Sequence, residues 1–323
     1  MKYKVLIPQD ITETGKDYLR EHDCELMILK DSSVENICKN VTDVDAILVR
    51  TADYPAQVFE AAKRLKVIAR HGAGVDNIDL EAAALHGVQV CNAPVANSTS
   101  VAEHTIMMIL ACAKNAILQD KACRRGDYDS RNRVKGTELE GKTLGLIGCG
   151  HIGRLVAEKA FYGFGMKVIG YDAYADPAVL PEYIGQKNSM DEVFSEADFI
   201  SLHIPLNDET RGMVNKEIFV KKMKNSACLI NCARGGIVNE DDLYEALKRG
   251  EIAGAGLDVF ETETLNPNEP LDPNCKLYTL DNVIVSPHNA ALTVEAADKM
   301  GLHAAWGIVE VLTGQKPTWS VKK

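Results

Sequence analysis

The chain alternates short apolar runs, rich in β-branched residues, with longer stretches of helical periodicity. This alternation is typical of parallel sheets, because neighbouring parallel strands need a crossover connection that a helix usually supplies. It predicts one series of strands at 4–8, 25–29, 46–49, 66–69 and 88–91, and a second at 143–147, 167–171, 199–202, 228–231, 254–259 and 283–286. The 323 residues suffice for two domains. The sequence therefore predicts an α/β protein with two doubly wound parallel-sheet domains.

The segment between the two series reads as one long helix from about 101 to 125. Ser100 and Glu103 have the spacing of a capping box, which would place the helix start there. Apolar residues at 106, 109, 110, 113 and 117 form one stripe, so much of this helix should be buried. A closing helix is predicted at 292–312.

Composition excludes several classes of protein. The net charge of −10 argues against a nucleic-acid or membrane-surface binder. The longest uncharged apolar stretch, 106–113, is shorter than the ~18 residues of a membrane-spanning helix, and the apolar run before Pro8 is too short to predict a signal peptide. The nine cysteines show no paired CxxC spacing, which predicts free thiols and no metal site. We therefore expect a cytoplasmic protein.

A glycine motif predicts the cofactor. Gly148-x-Gly150-x-x-Gly153 joins a predicted strand to a helix, and such glycines permit a tight turn, close approach of a pyrophosphate and close helix–strand packing. The N–H groups at the helix start favour an anion. Asp172 ends the next strand, where its carboxylate can bind ribose hydroxyls and repel a 2′-phosphate. The pattern predicts NAD rather than NADP.

Chemically active side chains follow three successive strands of the second series. Arg234 follows the strand at 228–231, Asp258 and Glu263 lie at and beyond the end of the next, and His288 follows the strand at 283–286. Ligands of open α/β sheets bind beyond the carboxyl ends of the strands, so these groups should meet in one crevice.

The types of these residues suit hydride transfer to a 2-keto acid. An arginine can clamp the carboxylate and polarise the keto oxygen, a histidine can exchange a proton with it, and a carboxylate can orient the histidine. Singly, Arg234 could be a helix-flanking charge, Glu263 a solvated loop acid and His288 a helix cap. Their joint placement downstream of the glycine motif favours catalysis.

The first series carries a candidate anion site. The loop Gly72-Ala73-Gly74 follows a strand and could bind a carboxylate through main-chain N–H groups, or be a plain tight turn. Arg50 and Arg70 end neighbouring strands. Their charge suits a substrate with a second anionic group such as a phosphate, although both could be structural.

Together these motifs resemble the NAD-dependent D-2-hydroxyacid dehydrogenases, and D-3-phosphoglycerate dehydrogenases in particular. The resemblance covers nearly the whole chain, and it rests on the segments 70–79, 97–104, 148–153, 231–236, 257–263 and 286–288 together with Asp172.

The resemblance implies a role for each candidate residue. His288 would be the acid/base, Glu263 its partner and Arg234 the substrate clamp, with Asp258 at the nicotinamide carboxamide. The implied cofactor contacts are Gly148, Gly150, His151, Ile152, Gly153, Asp172, His203, Pro205, Thr210, Cys232, Ala233, Arg234, Asp258, His288 and Ala290. The implied substrate contacts are Arg50, Arg70, Gly72, Ala73, Gly74, Arg234 and His288, and Ala73 would also lie close to the cofactor.

The resemblance also implies an architecture and a reaction. Residues 1–97 and 291–323 would form a flavodoxin-like substrate domain, residues 98–290 an inserted Rossmann NAD-binding domain, and the chain would be a homodimer. The expected substrate pair is 3-phosphoglycerate and phosphohydroxypyruvate. The alternatives are a reductase of glyoxylate, hydroxypyruvate or another 2-keto acid, and an NAD-sensing protein of the corepressor kind.

Overall fold

The computed structural model describes residues 2–263 and 272–321, which form two compact units. Among the described residues, the first unit comprises 2–98 and 291–321, and the second comprises 99–263 and 272–290. Every strand pair in both sheets is parallel. The α/β class with two parallel sheets is therefore confirmed.

The first unit holds a five-stranded sheet in the order β2-β1-β3-β4-β5, the flavodoxin-like order. Its strands are β1 (Tyr3–Ile7), β2 (Cys24–Ile28), β3 (Ala46–Val49), β4 (Val67–Arg70) and β5 (Gln89–Cys91). The intervening helices are α1 (Glu13–Glu21), α2 (Val34–Asn40), α3 (Ala56–Ala61) and α4 (Leu80–Leu85). Successive residues of β3 enter different buried clusters, Ile47 on one face and Leu48 on the other, because side chains alternate along a strand.

The second unit holds a seven-stranded sheet in the order β12-β11-β10-β9-β6-β7-β8. Its strands are β6 (Thr143–Ile147), β7 (Lys167–Tyr171), β8 (Ile184–Gln186), β9 (Phe199–Leu202), β10 (Cys228–Asn231), β11 (Gly254–Leu257) and β12 (Val283–Val285). Its helices are α5 (Ser98–Lys114), α6 (Ala116–Arg124), α7 (Ser130–Arg133), α8 (His151–Phe164), α9 (Met190–Glu196), α10 (Lys216–Lys221) and α11 (Glu240–Arg249). The strand order reverses between β6 and β9, which is where doubly wound sheets bind their ligands.

The chain returns to the first unit in α12 (Val294–Leu312). Thr293 caps this helix by accepting a hydrogen bond from the N–H of Ala296 at 3.2 Å, so the helix starts two residues later than the predicted start at 292. Gly15 and Gly301 let α1 and α12 approach closely, because a Cβ at Gly15 would lie 2.7 Å from the Gly301 carbonyl carbon.

The prediction of one helix over 101–125 is wrong. α5 and α6 meet at a 61° bend at Asn115, whose φ is +50°. Asparagine tolerates this left-handed conformation better than most residues. The Ala113 carbonyl accepts a hydrogen bond from the N–H of Thr137 at 2.7 Å, so a segment more than twenty residues away in the sequence is hydrogen-bonded to the helix backbone at the break. No single helix of the described residues is long and apolar enough to cross a membrane, and α5 and α6 pass that test only as a bent pair.

The predicted capping box is also wrong. α5 begins at Ser98, so Ser100 lies inside its first turn. The Ser100 hydroxyl donates to the carbonyl oxygen of Ala290 at 2.6 Å, a residue beyond the last strand of the sheet. A long-range hydrogen bond has replaced the local one.

Candidate active site

Three glycines shape the turn from β6 to α8, each under a different constraint. Gly148 has a φ of +95°, and a Cβ there would lie 2.5 Å from the His203 carbonyl oxygen. A Cβ at Gly153 would overlap the Gly148 carbonyl oxygen. At Gly150, which caps α8, a Cβ would meet no atom within 4 Å. Packing requires glycine at 148 and 153, whereas Gly150 keeps open space at the helix start, where N–H groups favour a phosphate.

The glycines supply a matched pair of variants. Gly148→Ala should lower the free energy of unfolding by about 1–3 kcal/mol, because the alanine is both strained and crowded. Gly150→Ala should leave stability within about 0.5 kcal/mol of the wild type and weaken NADH binding, because its methyl group occupies open space. Urea unfolding and NADH fluorescence titration measure the two effects. Equal NADH affinity in Gly150→Ala and the wild type would show that no phosphate of NADH binds at this turn.

The carboxylate of Asp172 connects this turn to the loop after β7. Its Oδ2 accepts the N–H of Cys149 at 2.7 Å, and its Oδ1 accepts the N–H groups of Tyr174 and Ala175 at 2.9 and 3.0 Å. A carboxylate offers about four acceptor positions, so these three bonds leave capacity for a ribose hydroxyl.

β9 places further predicted cofactor residues beside the glycine turn. The N–H of His203 donates to the Ile147 carbonyl at 2.7 Å, and its imidazole Nε2 lies 2.9 Å from the Ser201 hydroxyl. Desolvation lowers the pKa of His203 to about 4, so this imidazole is neutral at pH 7. The Thr210 hydroxyl donates to the carbonyl of Pro205 at 2.7 Å and closes the following loop.

The turn after β10 is folded by the buried amide of Asn231. Its oxygen accepts the N–H of Ala233 at 3.0 Å, and its nitrogen donates to the carbonyl of Arg234 at 2.9 Å. The Arg234 guanidinium donates to the Ala233 carbonyl at 2.8 Å. A Cβ at Gly235 would overlap the backbone of the loop after β11, so glycine allows the two loops to touch. Burial raises the pKa of the Cys232 thiol to about 12, which leaves it protonated at neutral pH.

Glu263 and His288 lie in contact beyond β11 and β12. Imidazole Nδ1 of His288 is 2.9 Å from Oε1 of Glu263, whose side chain is 11% exposed. The other oxygen of Glu263 accepts the N–H of Phe260 at 3.3 Å. A carboxylate partner fixes the proton on Nδ1, so Nε2 is the nitrogen that can accept or donate a proton. His288 has a φ of +50°, a conformation rare outside glycine and concentrated at functional sites.

Asp258 organises the loop that carries His288. This carboxylate is fully buried, and its Oδ1 accepts the hydroxyl of Ser286 at 2.5 Å and the N–H of Asn289 at 3.0 Å. Its Oδ2 accepts the N–H of Ala290 at 2.9 Å, and its carbonyl accepts the N–H of His288 at 2.8 Å. The nicotinamide contact of Asp258 stays a prediction.

Two polar residues of this region escaped the sequence analysis. Ser286 bonds Asp258, and Nε2 of His104 lies 2.9 Å from the Ser286 hydroxyl oxygen. Both residues lie in segments that carry the family resemblance, Ser286 in 286–288 and His104 in 97–104. Membership of these segments was the sequence signal that could have identified them.

Five of the candidate substrate residues lie in the first unit, whereas Arg234 and His288 belong to the second. Arg50 donates to the Asp10 carbonyl at 2.9 Å, and the Arg70 guanidinium bonds the His71 carbonyl. The N–H of Gly72 donates to the Arg70 carbonyl at 2.9 Å, so this donor is engaged in the turn. Within the described parts of the chain, no group accepts a hydrogen bond from the N–H of Ala73 or Gly74. The anion nest would therefore depend on these last two donors.

Comparison with known proteins identifies the family. Residues 106–290 match the family described as D-isomer specific 2-hydroxyacid dehydrogenase, NAD binding domain. The D-3-phosphoglycerate dehydrogenase of Methanocaldococcus jannaschii is 42% identical over 315 residues, which cover 97% of this chain and 58% of that protein. The hydroxypyruvate reductase of Thermotoga maritima is 43% identical over 270 residues, covering 83% of this chain and 85% of that protein.

A solved structure of a D-lactate dehydrogenase is also similar to this chain. D-lactate dehydrogenase with NAD⁺ from Lactobacillus jensenii has a TM-score of 0.83 and 30% identity, covering 99% of this chain and 100% of that one. This chain spans 58% of the length of the D-3-phosphoglycerate dehydrogenases of Methanocaldococcus jannaschii and Archaeoglobus fulgidus. The chain belongs to the D-isomer specific 2-hydroxyacid dehydrogenase family, and its second unit contains the NAD-binding domain of that family.

Proposed function

We propose that this protein is an NAD-dependent D-2-hydroxyacid dehydrogenase. The observation that carries the proposal is the contact between His288 and Glu263, in the same unit as the glycine turn. Bound NAD supplies the chemistry of hydride exchange at C4 of its nicotinamide ring. An NAD-sensing protein would need no proton carrier, so the His288–Glu263 contact favours the enzyme over the sensor.

Each catalytic side chain has one task. Nε2 of His288 takes the hydroxyl proton during oxidation and returns it to the keto oxygen during reduction. Glu263 keeps the proton on Nδ1 and stabilises the imidazolium that forms. The guanidinium of Arg234 binds the substrate carboxylate and stabilises negative charge on the keto oxygen, for which its planar, permanently charged fork is suited.

NAD fits the glycine turn better than NADP. Asp172 places a carboxylate where the adenosine ribose of a dinucleotide would lie, and it would repel a 2′-phosphate. The two residues that follow it, Ala173 and Tyr174, bring no positive charge.

The proposed substrate pair is 3-phosphoglycerate and phosphohydroxypyruvate, with the first unit as the substrate domain. Arg50 and Arg70 supply positive charge for the phosphate, and the N–H groups of Ala73 and Gly74 are the donors of the turn that can bind a carboxylate. The Methanocaldococcus jannaschii relative is named for this activity. The Thermotoga maritima relative is named for hydroxypyruvate reduction, so an unphosphorylated keto acid is the competing substrate.

A substrate panel tests both levels of the proposal. NADH oxidation is followed with phosphohydroxypyruvate, hydroxypyruvate, glyoxylate and pyruvate, and each is repeated with NADPH. We expect turnover with NADH, at least about tenfold higher kcat/KM with phosphohydroxypyruvate than with hydroxypyruvate, and little activity with NADPH. In Arg50→Gln and Arg70→Gln the preference for the phosphorylated acid should shrink. Equal rates with phosphohydroxypyruvate and hydroxypyruvate would refute the assignment of a phosphorylated substrate. Inactivity with every keto acid would refute the proposed dehydrogenase activity.

A further inference from the structure

One face of α5 lies against the loop that carries His288. Ser100, His104 and Met108 are spaced by four residues and therefore share a helix face. The Ser100 hydroxyl donates to the Ala290 carbonyl at 2.6 Å, and His104 meets Ser286 at 2.9 Å. Met108 lies farther along, where a Cβ at Gly256 would meet its Cβ at 3.1 Å. The first two contacts hold the loop 286–290 at both of its ends.

The hydrogen bonds between α5 and this loop run in one direction. The Ser286 hydroxyl has a single proton, and it lies 2.5 Å from Oδ1 of Asp258. That carboxylate oxygen also accepts the N–H of Asn289, so it acts as an acceptor and Ser286 is the donor. The Ser286 oxygen must then accept a hydrogen bond from Nε2–H of His104 at 2.9 Å. Oδ1 of Asp258 lies 3.6 Å from the same nitrogen. The chain His104–Ser286–Asp258 fixes the tautomer of His104.

We infer that His104 is a positioning residue for the proton carrier His288, acting through Ser286 and Asp258. This inference rests on the proposed function. A fully buried carboxylate needs all of its hydrogen-bond partners, and Asp258 uses its own to bond the residues on either side of His288. Because His288 has a φ of +50°, its conformation persists only while the surrounding bonds enforce it. Removing the His104 donor weakens that enforcement.

The first test reads the tautomer and needs no substrate. Two-dimensional ¹H–¹⁵N spectra of ¹⁵N-histidine protein, assigned with the His104→Gln variant, report which ring nitrogen carries the proton. We expect the Nε2–H form of His104 in the wild type, and loss of this single form in Ser286→Ala. A His104 ring protonated only on Nδ1 would overturn the inference, whether or not the protein turns over any keto acid.

The second test separates positioning from stability. His104→Ala should lower kcat by about 10²-fold with the KM for NADH within about threefold of the wild type, because a displaced catalytic group slows the chemical step. His104→Gln, whose amide can replace the Nε2–H donor, should restore most of this loss. Met108→Ala on the same helix face is the control, since it removes buried apolar contacts and should lower stability while keeping kcat.

The outcomes are distinct. Wild-type kcat in His104→Ala, an equal fall in Met108→Ala, or no recovery in His104→Gln would each overturn the positioning role. If the wild type itself fails on the whole keto-acid panel, the proposed function fails instead, and the tautomer experiment still decides the hydrogen-bond direction.

Discussion

Replacing His288 by asparagine should lower kcat by about 10²- to 10⁴-fold, the range that a positioned general acid or base contributes. Asparagine is polar and tolerates the φ of +50° found at this position, so the loop conformation should survive the change. Its amide cannot exchange a proton with the substrate at neutral pH. Steady-state kcat in both directions, with NADH affinity measured by fluorescence, gives the result.

Glu263→Gln is the companion variant. It keeps a hydrogen-bond partner near Nδ1 of His288 but removes the charge that stabilises the imidazolium, so kcat should fall less than in the asparagine variant. Retention of more than a tenth of wild-type kcat in His288→Asn would show that another group carries the proton. A loss confined to NADH affinity would assign His288 to cofactor binding alone.

The sequence was most informative where strands are buried on both faces. β3, β6, β9 and β10 are buried almost throughout, and they occupy the predicted spans 46–49, 143–147, 199–202 and 228–231. Central strands of a parallel sheet read as continuous apolar runs between polar turns, so their ends are visible in the sequence. β8 was missed, because it is an edge strand of three residues with only Ile184 buried.

Local patterns failed where long-range contacts decided the structure. The apolar stripe from 106 to 117 passes Asn115 without interruption, yet the helix breaks there and the Ala113 carbonyl accepts a hydrogen bond from the N–H of Thr137. Similarly, Ser100 has the spacing of a cap, but its hydroxyl bonds Ala290. No periodicity of the local sequence reports a partner that is distant in the chain.

The candidate site shows the same division. Rules for parallel sheets placed Arg234, Glu263 and His288 beyond strand ends, because this placement depends only on strand order. The hydrogen bonds that orient the site, such as the one from the N–H of Ala290 to Asp258 and the one from His104 to Ser286, depend on how the loop 286–290 packs against Asp258 and α5. That packing is a property of the folded second unit, so the sequence predicted the candidate reacting groups but not the hydrogen bonds that orient them.

The second large effect is expected at Arg234. Arg234→Gln should lower kcat/KM for the keto acid by about 10²- to 10³-fold, comparable to removing a donor that stabilises a developing oxyanion. Binding of the substrate carboxylate contributes to KM, whereas stabilisation of charge on the keto oxygen contributes to kcat, so both constants should change. Arg249→Gln, on the exposed end of α11 beside Glu245, is the matched arginine control and should behave as the wild type.

Arg234→Lys separates the charge of this side chain from its geometry. Lysine keeps the positive charge but has no planar fork, so it should recover part of the KM effect and little of kcat. Asn231 folds the turn through backbone groups, including the Arg234 carbonyl, so the position of the side chain at 234 should be retained in both variants. Full activity in Arg234→Lys would mean that charge alone suffices. Full activity in Arg234→Gln would show that the guanidinium takes no part in the reaction. We would then expect the residues of the first unit to bind the substrate carboxylate.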